Sequence, residues 1–451
     1  IWGYPGGTNR YMTSYGVAYN QEVYSPTLVE LFGKQLEILK EDMDADPRVN
    51  IQYASHYALY ANYWKNLIGQ MKGIKNLTVI EKKRAIEDDF LAWVNAEEAR
   101  KEKYGNVLTD IEMGYKQQAA ATRFYYYLIY GLMEPDILDF AREFYPLEEQ
   151  LLNAKEDPET PERSVEILKA FADEHFKDYN ASTDQKLMAG LYAMFDEEIE
   201  IAEQPDFFKD LKQKFNGNFE EMADEMFEKS MFGDRDKILA FLENPNAKKL
   251  AKDPVYVLAS QVSDAIGNVA GPLRTARTFT TTGDRLFIAG LREMHPGKVF
   301  YPDANSTMRL SYGSVQDYYP ADAIHYNYIT YLSGVMEKED PTNEEFIVPG
   351  RLKELYEQKD FGRYGTRDGR MVVGFLTTND ITGGNSGSPV INGDGELIGL
   401  AFDGNWEAMS GDIVFEPELQ RTICVDSRYV LFIIDKFAGA TNLIDELTIV
   451  Q

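Results

Sequence analysis

Gly384-Asn385-Ser386-Gly387-Ser388-Pro389 decides how the rest of this chain is read. It stands between two β-type runs, Met-Val-Val-Gly-Phe-Leu at 371–376 and Pro-Val-Ile at 389–391. Its glycines permit a tight turn and leave backbone N–H groups unobstructed. A serine in such a turn has the layout of a nucleophile beside an oxyanion hole, whose N–H donors aim where charge develops in a tetrahedral intermediate. The amides of Gly384 and Ser386 are the expected donors. The nucleophile elbow of α/β-hydrolases is excluded, because it needs glycine two residues after the serine and this chain has Ser388 there. An ordinary Gly/Asn/Ser turn between strands uses the same residues, so the hexapeptide alone leaves both readings open.

The loop resembles that of chymotrypsin-like double barrels, with Asn385 where many of them carry Asp. A serine nucleophile needs a histidine base and a carboxylate that orients it. The four histidines are His56, His175, His295 and His325. The first two sit in helical sequence, the third in a His-Pro-Gly turn and the fourth in an aromatic run. Each reads as a surface or core histidine. In chymotrypsin-like proteins the histidine and aspartate precede the serine. The chain opens with Ile1 and runs directly into the turn Trp2-Gly3-Tyr4-Pro5-Gly6-Gly7. The expectation is a start in mid-protein, with both partners upstream of Ile1.

Composition bounds the function. The 451 residues suffice for two or more domains, and 44% are apolar. No apolar run reaches the length of a membrane span. A net charge of −28 argues against nucleic acid or anionic lipid as a partner. Cys424 is the lone cysteine and lies in an apolar run, which reads as a small buried hydrophobe. No cysteine/histidine cluster has ligand spacing, so neither a metal nor an organic cofactor is expected.

Periodicity divides the chain into three. Residues 1–23 are glycine-rich and β-like, with a strand expected at 11–16. Residues 24–297 read as helical, opening with Ser25 as an N-cap and Pro26 at the first helical position. Helices are expected at 81–104, 110–130, 160–179, 183–203 and 219–243. The aromatic run Phe124-Tyr125-Tyr126-Tyr127 reads as core. Residues 298–451 turn to a period of two, with strands expected at 299–301 and 308–312 and a short helix at 351–358. Asn392-Gly393-Asp394-Gly395 signals a hairpin, and 428–437 reads as a terminal helix. The fold class expected is α+β: the second barrel of a chymotrypsin-like pair, most of the first barrel missing, with a large inserted helical lid.

Motifs along nearly the whole chain carry a more specific resemblance. They include Gly3-Tyr4-Pro5-Gly6, Thr8-Asn9-Arg10-Tyr11, Ala61-Asn62-Tyr63-Trp64-Lys65-Asn66, the serine loop, residues 401–407 from Ala401 to Glu407, Ser410-Gly411-Asp412, Arg421-Thr422 and Arg428-Tyr429-Val430. In these the chain resembles the bacterial dipeptidyl-peptidase 7 and 11 family of serine peptidases. The resemblance implies removal of dipeptides from free N-termini, a homodimer, and a periplasmic or cell-surface location in a Gram-negative bacterium. It implies Ser386 as nucleophile and Gly384 as an oxyanion donor. It also implies that Asp403 and Asn62 share the substrate's α-amine, with Asn66 four residues further along the same helix face. The resemblance places Gly404 on the strand lining the pocket for the substrate's second residue. In the acid-specific branch that position is arginine, so glycine implies acceptance of hydrophobic or aromatic side chains. A segment without the upstream histidine and aspartate is not expected to catalyse alone. Two other readings stay open: a glutamyl- or acid-specific serine peptidase of the same clan, and a non-catalytic peptide-binding scaffold.

Overall fold

A computed structural model describes residues 1–153 and 160–450. The chain forms two compact units. One comprises Thr13–Ile68 and Ile80–Met294; the other comprises Ile1–Met12, Gly69–Val79 and His295–Gln451.

The first unit is helical. Its helices at Thr160–Asp178 and Ala181–Glu198 follow the expected spans closely. The expected helix at 81–104 is instead two, Val79–Asn95 and Glu98–Tyr104, and 219–243 divides into Phe219–Lys229 and Arg235–Glu243. The latter two begin at Asn218 and Asp234, whose side chains accept first-turn N–H groups. The strand expected at 11–16 is absent: Ser14–Tyr19 is helical. The cause is distant in sequence. Glu87 accepts the Ser14 N–H at 2.5 Å and the Ser14 hydroxyl at 2.6 Å, satisfying a donor that a helix start leaves open. Ser25 is likewise no N-cap. Tyr24 has helical angles, and the π-turn Asn20–Tyr24 runs straight into the helix Ser25–Ala45. Pro26 has no N–H to give, and it lies where the hydrogen-bonding register changes.

The longest element, Pro254–Met294, packs along Val107–Tyr127. Small residues make the approach possible. A Cβ on Gly283 would lie 2.4 Å from Ile111, and one on Gly114 would lie 2.8 Å from Thr280. The core is aromatic, with Phe140, Phe144, Phe195, Phe208 and Phe232 fully buried; Tyr127 is buried too, and Phe124 and Tyr126 pack against this core. His175 stacks on Phe140 with ring centroids 4.2 Å apart, and burial pushes its pKa down to about 4. It is a neutral core residue.

Among the described residues the second unit holds three antiparallel sheets. The strands are β1 (Trp2–Gly3), β2 (Arg309–Leu310), β3 (Tyr318–Ala321), β4 (Ile324–Tyr326), β5 (Ile329–Tyr331), β6 (Val372–Thr377), β7 (Pro389–Ile391), β8 (Leu397–Gly404) and β9 (Thr422–Asp426). β1 pairs with β2, β3 with β4, and the largest sheet has the order β5-β6-β9-β8-β7. The segment 299–301 is not a strand, and 308–312 shortens to β2. Alternation there does not mark a covered face, since Val299 and Tyr312 are 89% and 92% exposed. The hairpin between β7 and β8 forms as the sequence signals. Asn392 Oδ1 accepts from Asp394 and Glu396, and Gly395 takes a positive φ of 83°.

Cys424 lies in β9, packed with Ile1, Phe375, Val390 and Ala401. Burial pushes its thiol up to about 11. The helix Gly350–Glu357 and the helix Ser427–Phe432, prolonged by a π-turn to Phe437, close a second core around Leu355, Phe361 and Phe432, and a further short helix, Thr441–Asp445, follows. The end of the long helix Pro47–Asn76 also belongs to this unit, because Gly69 and Gly73 receive Met409 and Ser410 at distances that leave no room for a Cβ. Among the described residues no helix is long and apolar enough to cross a membrane, and no cluster of His, Cys, Asp and Glu is arranged to hold a metal ion.

One buried group yields a stability prediction. Asp284 lies within Pro254–Met294, and its Oδ1 is buried with no hydrogen-bond partner among the described residues. Burial lifts its pKa to about 6. The folded state therefore holds the proton more tightly than the unfolded chain. The associated stability is full below about pH 4 and lost as pH rises through 6. Asp284→Asn keeps the neutral form at every pH. It should raise unfolding free energy by about 2–3 kcal/mol at pH 8 and hardly at all at pH 4, as measured by denaturant titration at the two pH values.

Candidate active site around Ser386

The serine turn is set by the sheet on one side and by the chain's first residues on the other. Gly387 N–H donates to Ala401 O at 2.7 Å, and Ala401 N–H returns a bond to Ser388 O at 2.9 Å. This extends the β7–β8 pairing into the turn itself. Within the turn, Asn385 N–H donates to Thr382 O at 3.1 Å, and Thr382 N–H donates to Asn385 Oδ1 at 3.2 Å. Asn385 is buried, whereas Ser386 is exposed. Gly384 and Gly387 have φ of +100° and +79°, which a side chain adopts only under strain. The Ser386 hydroxyl makes a long 3.5 Å contact with Phe402 O. The N–H groups of Gly384 and Ser386 make no hydrogen bond among the described residues. Two unengaged donors beside an exposed hydroxyl form an arrangement able to receive a carbonyl oxygen as it becomes an oxyanion.

The Gly3–Gly6 segment was read from sequence as a motif without a role; it packs directly on this turn. Gly6 N–H donates to Gly383 O at 2.6 Å. A Cβ on Gly3 would lie 2.1 Å from Ser388 Oγ, and one on Gly384 would lie 2.4 Å from Tyr4 O. These contacts join residues 377 to 385 positions apart, so no local pattern could reveal them.

Asp403 and Gly404 close β8, pairing with Ile423 and Thr422 of β9. The register shifts between Ala401 and Asp403, which is the bulge geometry that redirects side chains at a strand end. Asp403 is exposed, and its Oδ1 accepts the Gly404 N–H at 2.8 Å. A Cβ on Gly404 would lie 3.0 Å from the Ala408 methyl, so the position is open only as far as Ala408 allows. The following residues are braced. Buried Asn405 donates to Glu407 and to Leu419 O, and it accepts the Arg421 N–H at 2.8 Å. Arg421, 2% exposed, spends its guanidinium on the carbonyls of Asp317, Pro417, Glu418 and Gln420. The sheet thus brings Ser386, Phe402, Asp403 and Gly404 together.

Asn62 lies on the helix Pro47–Asn76, in the part that belongs to the helical unit, and is exposed. No histidine is hydrogen-bonded to Ser386 among the described residues. His325 Nε2 pairs with Asp317 at 2.6 Å on the β3–β4 hairpin, and His56 faces Glu134 at 3.6 Å.

The peptidase S46 family model matches residues 1–449. The chain is 41% identical over its full length to dipeptidyl-peptidase 7 of Phocaeicola vulgatus, covering 62% of that protein. It is 43% identical over 99% of its length to dipeptidyl-peptidase 7 of Porphyromonas gingivalis, again covering 62%. An Asp/Glu-specific dipeptidyl-peptidase of Porphyromonas gingivalis is 37% identical over the whole chain. Among solved structures, Porphyromonas endodontalis DPP11 in complex with the dipeptide Arg-Glu superposes with a TM-score of 0.88 at 33% identity, over 99% of this chain and 63% of that one. The helix-rich mixed fold is therefore shared with DPP11. The chain spans about three-fifths of the length of these relatives, and it belongs to the peptidase S46 family.

Proposed function

We propose that this chain carries the nucleophile of a serine dipeptidyl-peptidase. The observation that carries the proposal is the exposed Ser386 hydroxyl on a turn whose Gly384 and Ser386 N–H groups are unengaged. Ser386 gives its proton to a base and attacks the substrate carbonyl, and the two amides receive the oxyanion. The scissile C–N bond breaks as the amine leaves with that proton, and water then hydrolyses the acyl-enzyme to free the dipeptide. A histidine base oriented by an aspartate takes the Ser386 proton in this reading. In this reading the five-stranded sheet belongs to the second barrel of a chymotrypsin-like pair. Residues 1–23 close the first barrel region, 24–297 form a lid and 298–451 form the second barrel. The substrate is a peptide with a free N-terminus, and the whole protein acts as a homodimer in the periplasm or at the cell surface.

Asp403 is exposed at the strand end, 17 residues after Ser386, where it is available to a cationic amine. Together with Asn62 it selects the free N-terminus. A charge-assisted contact of this kind contributes about 1.5–3 kcal/mol, enough to favour chain ends over interiors. The second residue is read at Gly404. With no cation there, a hydrophobic or aromatic side chain is preferred. The relatives named dipeptidyl-peptidase 7 are also more similar to this chain than the Asp/Glu-specific one of the same organism.

Three outcomes test the proposal in the full-length protein. Ser386→Ala should lower turnover of dipeptide-fluorophore substrates by more than about 10³-fold while leaving thermal unfolding unchanged. Acetylating the N-terminus of a Leu-, Phe- or Met-ended dipeptide substrate should abolish cleavage; equal rates with and without the block would refute the exopeptidase reading. Gly404→Arg combined with Ala408→Gly, which removes the 3.0 Å contact, should shift preference toward Asp and Glu at the second position. Unchanged preference would place the pocket elsewhere.

A further inference from the structure

Arg10 lies in the segment Ile1–Met12 and is nearly buried, its side chain 10% exposed. Both Nη groups hold the carboxylate of Asp380, one at 2.8 Å, and Nε donates to the Gly411 carbonyl at 2.9 Å. The guanidinium also lies 5.4 Å from the centre of the Phe415 ring. Asp380 precedes Ser386 by six residues. On the other side, Gly411 leads to Asp412, whose carboxyl interacts electrostatically with Thr382 and with Arg10. Burial pushes that carboxyl above its usual range, while the Thr382 bond and the Arg10 charge work to lower it. Thr382 in turn exchanges two hydrogen bonds with Asn385, the residue before Ser386. Two routes from one guanidinium thus converge on the serine turn.

The mechanical need for such a brace is plain. A turn containing two glycines at positive φ has little intrinsic stiffness. A bidentate arginine–carboxylate pair supplies direction as well as charge, and a third donor on the same plane fixes the end of the 3₁₀ turn Trp406–Ser410. Arg10 is the buried partner, its side chain 10% exposed against 37% for Asp380, so parting the pair deprives the guanidinium of its nearest counter-charge.

We infer that Arg10 is a positioning residue for the serine turn, orienting the Ser386 hydroxyl and its neighbouring amides through Asp380 and through Asp412 and Thr382. The inference rests on Ser386 being the nucleophile. A purely structural ion pair would affect how much protein folds, whereas a positioning residue changes the reactivity of the protein that has folded.

The experiment measures, in the full-length protein, the rate at which a fluorophosphonate probe labels Ser386, together with kcat, KM and thermal unfolding. The charge-balanced variant Arg10→Met with Asp380→Asn should unfold near the parent's temperature yet label about 30-fold more slowly, a size in keeping with small misplacements of a reacting group. Its kcat should fall by the same factor, with KM changed less than about threefold. Arg10→Lys keeps the charge but not the planar fork, and should recover to within about tenfold of the parent. Labelling of the folded charge-balanced variant within about threefold of the parent overturns the inference. Should that variant not fold, Asp380→Asn alone decides by the same criterion. A parent whose Ser386 does not label at all overturns the nucleophile reading itself, an outcome distinct from the first.

Discussion

Two backbone hydrogen bonds to Ala401 underlie the candidate site: one from Gly387 N–H and one returned to Ser388 O. They make the serine turn an extension of β8, so the turn inherits the rigidity of the five-stranded sheet. The residues that follow Ala401 in the chain are Phe402, Asp403 and Gly404. One strand therefore fixes both the Ser386 turn and the strand end Asp403–Gly404. The bulge after Ala401 and the Asn405–Arg421 bracing set where those groups point. A displacement of β8 would move Ser386, Asp403 and Gly404 together, which preserves their spacing.

What was legible in the sequence is what short segments decide. The serine turn, the Asn392–Gly395 hairpin, the helix beginning near Arg351 and the helix Ser427–Phe432 each follow from local residues that dictate φ, capping or periodicity. Helix boundaries were less legible where an internal cap intervened, as at Asn218 and Asp234. The failures have a common cause. Ser14 is helical because of a carboxylate 73 residues away, and Arg10 is held by a carbonyl 401 residues away. The Gly3–Gly6 contact with the serine turn belongs to the same class. Partners so distant leave no trace in a window of residues, and only the motif's resemblance to a family hinted that the opening segment mattered.

The helical unit solves a different problem. It buries several carboxylates, and Asp184 shows how. Both its oxygens accept N–H groups at the start of the helix Asp136–Arg142, and Tyr179 adds a third donor at 3.2 Å. Burial still drives the Asp184 and Asp136 carboxyls upward, since a low-dielectric interior disfavours both charges. Satisfied donors and strained charge coexist, which ties the packing of this unit to proton concentration.

Cys424 has a consequence of its own. It is the chain's single thiol, fully enclosed in β9, and its pKa near 11 leaves little thiolate at neutral pH. A thiol reagent reaches it only when β9 parts from β6 and β8, the strands that flank it. The rate of modification then counts openings of the sheet that holds the serine turn, independently of turnover. The strand carries its own chemical clock for the integrity of the site.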